Sequence, residues 1–352
     1  MSDPRRIVLA FAGDPASALA IGRLGGSMTE VITVTLDLGQ GLDLEQARED
    51  AIVAGAVRAH VVDARERFAN EALLPALRAG AADPAFAPPS SLAWSTVAAV
   101  LVEIARMENA ATAAHGATGS ARAALDRLIA DAAPDLEIVG LEDLSSVSND
   151  APKISANLWG RTVRTAAPAD SWEAPPRSWF LRTSDPLACH AQPAVVELTI
   201  DRGAPTAING IPMSFPELVG VVDTIAGDHG IGRLDRVHRT PTGFDREIGE
   251  SPAGVTLAMA LTELERATLD PALLALKTSL GSDYVTLVNT GGWFSPSRTA
   301  LDAFVDAALA SVSGTVRLML FRGACRVVGR QIKETAPAGV MTNRLGAGQP
   351  AH

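Results

Sequence analysis

Short apolar runs recurring between longer helix-forming stretches constrain this chain more than any other feature. Ile7–Phe11 reads as a strand and Ala16–Leu24 as a helix. Val31–Leu36 is the next strand, and Asp43–Ala54 a helix closed by Gly55. Ala59–Asp63 is a third strand, and an alanine-rich helix over Leu92–Glu108 leads into a strand at Thr112–His115. Strands separated by helices of this length predict a doubly wound parallel sheet. Ligands of such sheets sit outside the carboxyl ends of the strands. That rule places Ala12–Ser17, Asp37–Gly41 and His115–Gly119 on one rim, and the α/β domain is expected over residues 1–150.

From about Leu141 the texture changes. "SSVSNDAPKISANLWGR" and "AAPADSWEAPPRSW" are rich in Ser, Pro and Asp and read as loops. Val195–Ile200 reads as a strand meeting a turn at Asp201-Arg202-Gly203. Phe215–Asp228 and Val255–Leu269 read as helices, and Thr315–Phe321 with Cys325–Gly329 as a hairpin around Arg322-Gly323. An α+β domain is expected over residues 151–330. Residues 331–352 carry Pro, Gly and Thr without periodicity and read as a disordered tail.

Composition narrows the function classes. A chain of 352 residues suffices for two domains, with 47% hydrophobic and 20% charged residues. No apolar run is long enough to cross a bilayer and no signal-peptide core is expected, so the chain reads as cytoplasmic, with no membrane partner. A net charge of -10 argues against nucleic acid as a partner. Cys189 and Cys325 are the only cysteines, and the histidines are scattered, so neither a disulfide framework nor a metal site is expected.

The rim loops carry the candidate chemistry. Ala12-Gly13-Asp14-Pro15-Ala16-Ser17 makes a poor anion nest: Pro15 has no N–H, and Asp14 sets a carboxylate where phosphate would sit. Asp14 instead reads as the cap of the helix that Pro15 begins. His115, beside Gly116 and Thr118, has the position of a general acid/base. A hydrogen bond to loop backbone is the favoured role, since no acid accompanies it nearby in sequence. "GIGRLD" (Gly230 to Asp235) fails as a dinucleotide fingerprint, lacking the third glycine and a preceding strand. Ser17, Ser90 and Ser91 lack a nucleophile elbow.

"LDLGQG", "HGATG", "NLWGR", "GIGR", "WFSP" and "GTVRLMLFRG", in this order, resemble the argininosuccinate synthase family over residues 5 to about 330. The resemblance implies an ATP-pyrophosphatase (adenine nucleotide alpha hydrolase-like) domain followed by a synthetase domain. It also implies a reaction joining citrulline to aspartate through a citrullyl-AMP intermediate. Gly13, Ser17 and Gly116 then mark a vestigial ATP site, and Phe86, Ser90, Ser91 and Thr118 a vestigial citrulline and aspartate site. The family's S-G-G-x-D-T-S falls on Ala12 to Ala18. Its citrulline-contacting tyrosine falls on Phe86, and an arginine that holds substrate on Asp126. Ala156 stands for a glutamate, His238 for an acid and Gly249 for a tyrosine.

These losses imply a homologue with no catalytic residues and no cofactor, serving a binding, regulatory or partner-subunit role. The alternative is a divergent ATP-dependent carbon–nitrogen ligase that uses ATP-Mg on altered substrates. Family members are tetramers joined by a C-terminal helical arm. Pro337, Gly339, Gly346, Gly348 and Pro350 argue against such an arm here, so a homodimer is expected, with a hetero-oligomer containing an intact paralogue as the variant.

Overall fold

In a computed structural model, residues 4–26, 28–82, 88–141, 152–167, 172–240 and 243–333 are described. The first part runs β1 (Arg5–Ala10), α1 (Pro15–Leu24), β2 (Thr29–Asp37), α2 (Leu44–Val53) and β3 (Arg58–Asp63). After β3 come α3 (Arg65–Arg67), a π-helical turn (Phe68–Leu73) and α4 (Leu74–Ala79). Then follow α5 (Pro89–Met107), β4 (Thr112–His115), α6 (Gly119–Ala132) and β5 (Glu137–Gly140).

The five strands form a parallel sheet in the order β3-β2-β1-β4-β5. Both faces are covered, which is why the strands read as continuous apolar runs rather than as alternation. Ile7 and Leu9 of β1 pack with Ala20, Ile21, Ala47 and Ala51 of α1 and α2. Val8, pointing the other way, joins Leu101 of α5 with Phe68 and Leu73 of the π-helical turn. Because β1 is central, the chain winds one way to β2 and the other way to β4. The crevice of the doubly wound fold lies at that switch.

Three sequence expectations shift here. Helix α5 starts at Pro89 rather than Leu92, since proline at the first helical position is favourable, so Ser90 and Ser91 sit in its first turn. Strand β5 and the helical stretch from Arg65 to Ala79 were not anticipated. Helix α5 is also the one described helix long and apolar enough to cross a membrane, and 61% of that window is buried inside the protein.

The second part runs β6 (Lys153–Asn157), β7 (Gly160–Ala167), β8 (Ala194–Asp201), β9 (Ala204–Ile208), β10 (Ile211–Pro212) and α7 (Phe215–Asp228). It continues through β11 (Arg233–Thr240), β12 (Gly243–Glu250), α8 (Pro252–Thr268), α9 (Pro271–Asn289), α10 (Pro296–Ala308), β13 (Gly314–Phe321) and β14 (Ala324–Ile332). Two sheets result, β10-β9-β8-β13-β14 and β11-β12-β7-β6, with every pairing antiparallel. The hairpin turn at Arg322-Gly323 is as expected, with both residues at positive φ (46° and 81°), the geometry that suits tight hairpins.

The loop expected over "SSVSNDAPKISANLWGR" is corrected: from Lys153 onward it is the β6–β7 hairpin. Its Pro, Asp and most of its Ser precede the strand. Pairing of β7 with β12 and burial of Val163 and Trp159 stabilise what local composition disfavours. Strand β14 runs one residue past Gln331, and the tail expected beyond it, residues 334–352, lies outside the described residues.

Candidate functional site

The ends of β1, β2 and β4 bring the three predicted loops to one rim, as the parallel register requires. At the first loop, Gly13 takes φ 76° and Asp14 caps α1. The Asp14 carboxylate accepts from the Ser17 amide at 2.7 Å. The Ser17 hydroxyl, in turn, donates to the Asp14 carbonyl at 2.9 Å and lies 3.3 Å from the Asp14 amide. This reciprocal capping box holds Ser17 buried. An external anion would have to displace Asp14 to reach these donors, and Pro15 offers no N–H beside them.

The second loop is occupied by its own side chains. Gln40 accepts from the Leu38 amide and donates to the Leu36 carbonyl, both at 2.6 Å. Asp37 accepts from the Gly39 amide at 2.8 Å. At the third loop the structure corrects the reading of His115. The histidine is buried, and its Nε2 lies 2.7 Å from Asp126 Oδ1, on the helix that follows. Its Nδ1 accepts from the Ala117 amide at 3.3 Å, which fixes Nε2 as the N–H that donates to the carboxylate. The expected backbone bond is therefore present, but so is the acid that the sequence seemed to lack. With both ring nitrogens engaged and the ring buried, His115 locks the loop to α6.

The other predicted residues divide. Thr118 is exposed at the start of α6 and makes no side-chain cap, and Gly116 is exposed beside it. Ser90 is half-buried and Ser91 buried in the first turn of α5. Phe86 lies outside the described residues. Gly13, Ser17, Gly116 and Thr118 thus share the rim, while the start of α5 is tied to the second part of the chain.

That tie is a dense polar seam. Asn157 donates to the Pro89 carbonyl at 2.7 Å and accepts from the Trp159 amide at 2.9 Å. Trp159, fully buried, donates from its indole to the Ala82 carbonyl at 2.9 Å. The Leu158 amide donates to the Leu38 carbonyl at 2.6 Å. Gly39, at φ 83°, packs so closely on Leu158 that a Cβ there would lie 3.1 Å from the Leu158 Cβ. Arg182 donates to the carbonyls of Asn157 and Gly39 at 2.7 and 3.3 Å. Buried Glu250 accepts from the amides of Leu181, Arg182 and Thr183, each at 2.9 Å, and from the Thr183 hydroxyl at 2.7 Å. Sequence reasoning missed this carboxylate as an organising centre. Its signal was an acid directly before a Ser-Pro helix start.

The chain also matches known proteins across both parts. Residues 6–148 match the Arginosuccinate synthase N-terminal HUP domain, and residues 153–336 the Arginosuccinate synthase C-terminal domain. The chain belongs to the argininosuccinate synthase family. Argininosuccinate synthase of Bacillus pumilus is 34% identical, over 94% of this chain and 88% of that protein. The enzyme named argininosuccinate synthase in Brevibacillus brevis is 35% identical, over 92% and 83% respectively. The parallel-sheet and antiparallel parts correspond to the two domains of this family.

Within an argininosuccinate synthase frame, the "LDLGQ" and "NLWGR" motifs bind each other across the seam, and each of their polar bonds above is internal. The residues that the resemblance assigned to ligand have a different fate. Asp14 and Pro15 do not fit ATP phosphates, because the carboxylate already fills the helix start. Asp126 is engaged with His115 and lies 3.5 Å from Arg122 Nε. Among the described residues no group of three His, Cys, Asp or Glu side chains is placed to hold a metal.

Proposed function

We propose that this chain is a non-catalytic member of the argininosuccinate synthase family, acting as a cytoplasmic binding or partner subunit. The observation that carries the reading is the capping box at Asp14 and Ser17, which satisfies the α1 start with the protein's own carboxylate. Charge adds to it: Asp14 and Asp126 place acids where the resemblance calls for a glycine and an arginine. No residue is assigned a catalytic role, and no cofactor is required. Gly13, Ser17, Gly116, Ser90, Ser91, Thr118 and Phe86 are remnants of the ligand sites. We further propose a homodimer, or a hetero-oligomer with an intact paralogue, in place of the family tetramer.

The second reading is a divergent carbon–nitrogen ligase using ATP-Mg. It is supported by the near full-length match to synthases and by the exposed Thr118 on the rim. Calorimetry with ATP-Mg, followed by pyrophosphate release with citrulline and aspartate, separates the two. The non-catalytic reading expects no saturable heat at millimolar ATP-Mg and no pyrophosphate above background. Saturable sub-millimolar binding with turnover would replace it by the ligase.

A further inference from the structure

Strand β3 leaves one edge of the parallel sheet open. Among the described residues its ladder is with β2 alone, and β2 and α2 are the elements chiefly packed on it. Sheet edges are normally guarded by shortness, lysine, proline or a bulge. The other edge, β5, is four residues long and opens on Glu137. Strand β3 is six residues long with unbroken register, and Val57–Asp63 contains no Lys, Pro or Gly.

Its exposed side chains include valines. Val57 is 57% exposed and Val61 37%, and Ile52 and Val53 at the end of α2 are exposed as well. Val57 extends the ladder, its amide donating to the Val31 carbonyl at 2.9 Å. Alternation puts Val57, Ala59 and Val61 on the face of α1 and α2, where Ala59 packs. Arg58, His60 and Val62 take the face of α5, where Val62 packs. There buried Glu108, at the end of α5, accepts from Arg58 Nη1 at 2.6 Å and lies 2.7 Å from His60 Nε2.

We propose that β3 pairs antiparallel with β3 of a second copy about a twofold axis through Ala59, joining two five-stranded sheets into one. The pairing rests on the homodimer reading and names its interface. A twofold axis normal to the sheet keeps each face continuous, so opposed residues come from the same face and the centre falls on a residue. Centred on Ala59, Val57 meets the partner's Val61, Ala59 the partner's Ala59, and Arg58 the partner's His60. Centring on His60 would set Val57 against an aspartate and two histidines against each other. Centring on Val61 would set Ala59 against Asp63. The Ala59 register alone matches apolar with apolar along one face. On the other it sets each Arg58 beside the His60–Glu108 pair of the other copy, where two guanidiniums and two carboxylates sum to zero charge.

Sedimentation of the full chain over a concentration series tests this. A dimer is expected. Val61→Lys and Val57→Asp should each weaken it about tenfold or more, since each buries a charge against valine on both sides of the axis. Both variants should keep the melting temperature of the unchanged chain at dilutions where that chain is monomeric. Ala59→Cys should give a covalent dimer on oxidation beyond that of the unchanged chain, and Val61→Cys should not. A chain that stays monomeric at high micromolar concentration would overturn the interface together with the homodimer reading. A dimer that Val61→Lys and Val57→Asp leave intact would overturn the interface alone. Crosslinking through Val61→Cys and not through Ala59→Cys would overturn the register.

Discussion

The first rim loop and the polar seam between the two parts carry motifs of the same family, yet they diverge in opposite directions. The seam keeps "LDLGQ" and "NLWGR", and its polar groups bond to one another: Asn157 to Pro89, Leu158 to Leu38, Glu250 to three successive amides. The Ala12–Ser17 loop spends the Ser17 amide on Asp14. A seam residue that changes leaves a buried group unpaired, which is costly whether or not a ligand ever binds. Under the proposed non-catalytic reading, a rim residue that would face ligand can change at little cost to folding. The retained seam motifs therefore report packing, and the rim is where the proposed loss of chemistry is to be tested.

The sharpest way to break this comparison is Glu250→Ala. It strands three amides and the Thr183 hydroxyl in a buried site, so a loss of about 3–5 kcal/mol is expected in denaturant unfolding. A loss under about 1 kcal/mol would show that the seam is not built as described. Gly39→Ala comes next. It forces a Cβ into a left-handed backbone against Leu158, and about 2 kcal/mol of destabilisation is expected by the same measurement.

The rim should respond more weakly. Asp14→Ala removes an N-cap and should cost about 1 kcal/mol, read as a fall in urea midpoint with unchanged slope. The same variant sharpens the functional contrast, since it frees the Ser17 amide while leaving Pro15 in place. ATP should still not bind.

The smallest effect expected is on pH dependence. His229 is buried, and burial, reinforced by His190, holds its imidazole below the ordinary value of 6.5. The unfolded chain then takes up a proton before the folded one does. Stability is present above about pH 6.5 and is lost as pH falls through the unfolded value toward the folded one, at no more than about 1.4 kcal/mol per unit. His229→Gln should flatten that slope in urea unfolding compared between about pH 7 and about pH 5. An unchanged slope would assign the dependence to other groups.

Much of the fold was legible because its causes are local. Apolar runs a few residues long and the Arg322-Gly323 turn each carry their own signature. The helix start at Asp14 was read correctly for the same reason. Helices α9 and α10 were missed, as were strands β6, β7, β11 and β12. The strands are held by partners far away in sequence, and Lys153–Asn157 has little strand character without β7 beside it.

The candidate site shows the same division. Residue types alone gave the expectation of a helix cap at Asp14 in the first loop, since an acid before a proline at the first helical position carries that signature wherever the loop is placed. Only the tertiary structure decided that His115 has an acid: Asp126 lies eleven residues on, and the return of α6 over the sheet closes the gap to 2.7 Å. The same holds for a row of charges across β11, β12, β7 and β6. Lys153, Arg164, Glu247 and Arg236 are unremarked charges along the chain, and strand register alone sets them side by side. Sequence fixes what each group can donate, accept or repel. Distance decides which of those interactions occur, and for residues far apart in the chain only the folded backbone sets distance.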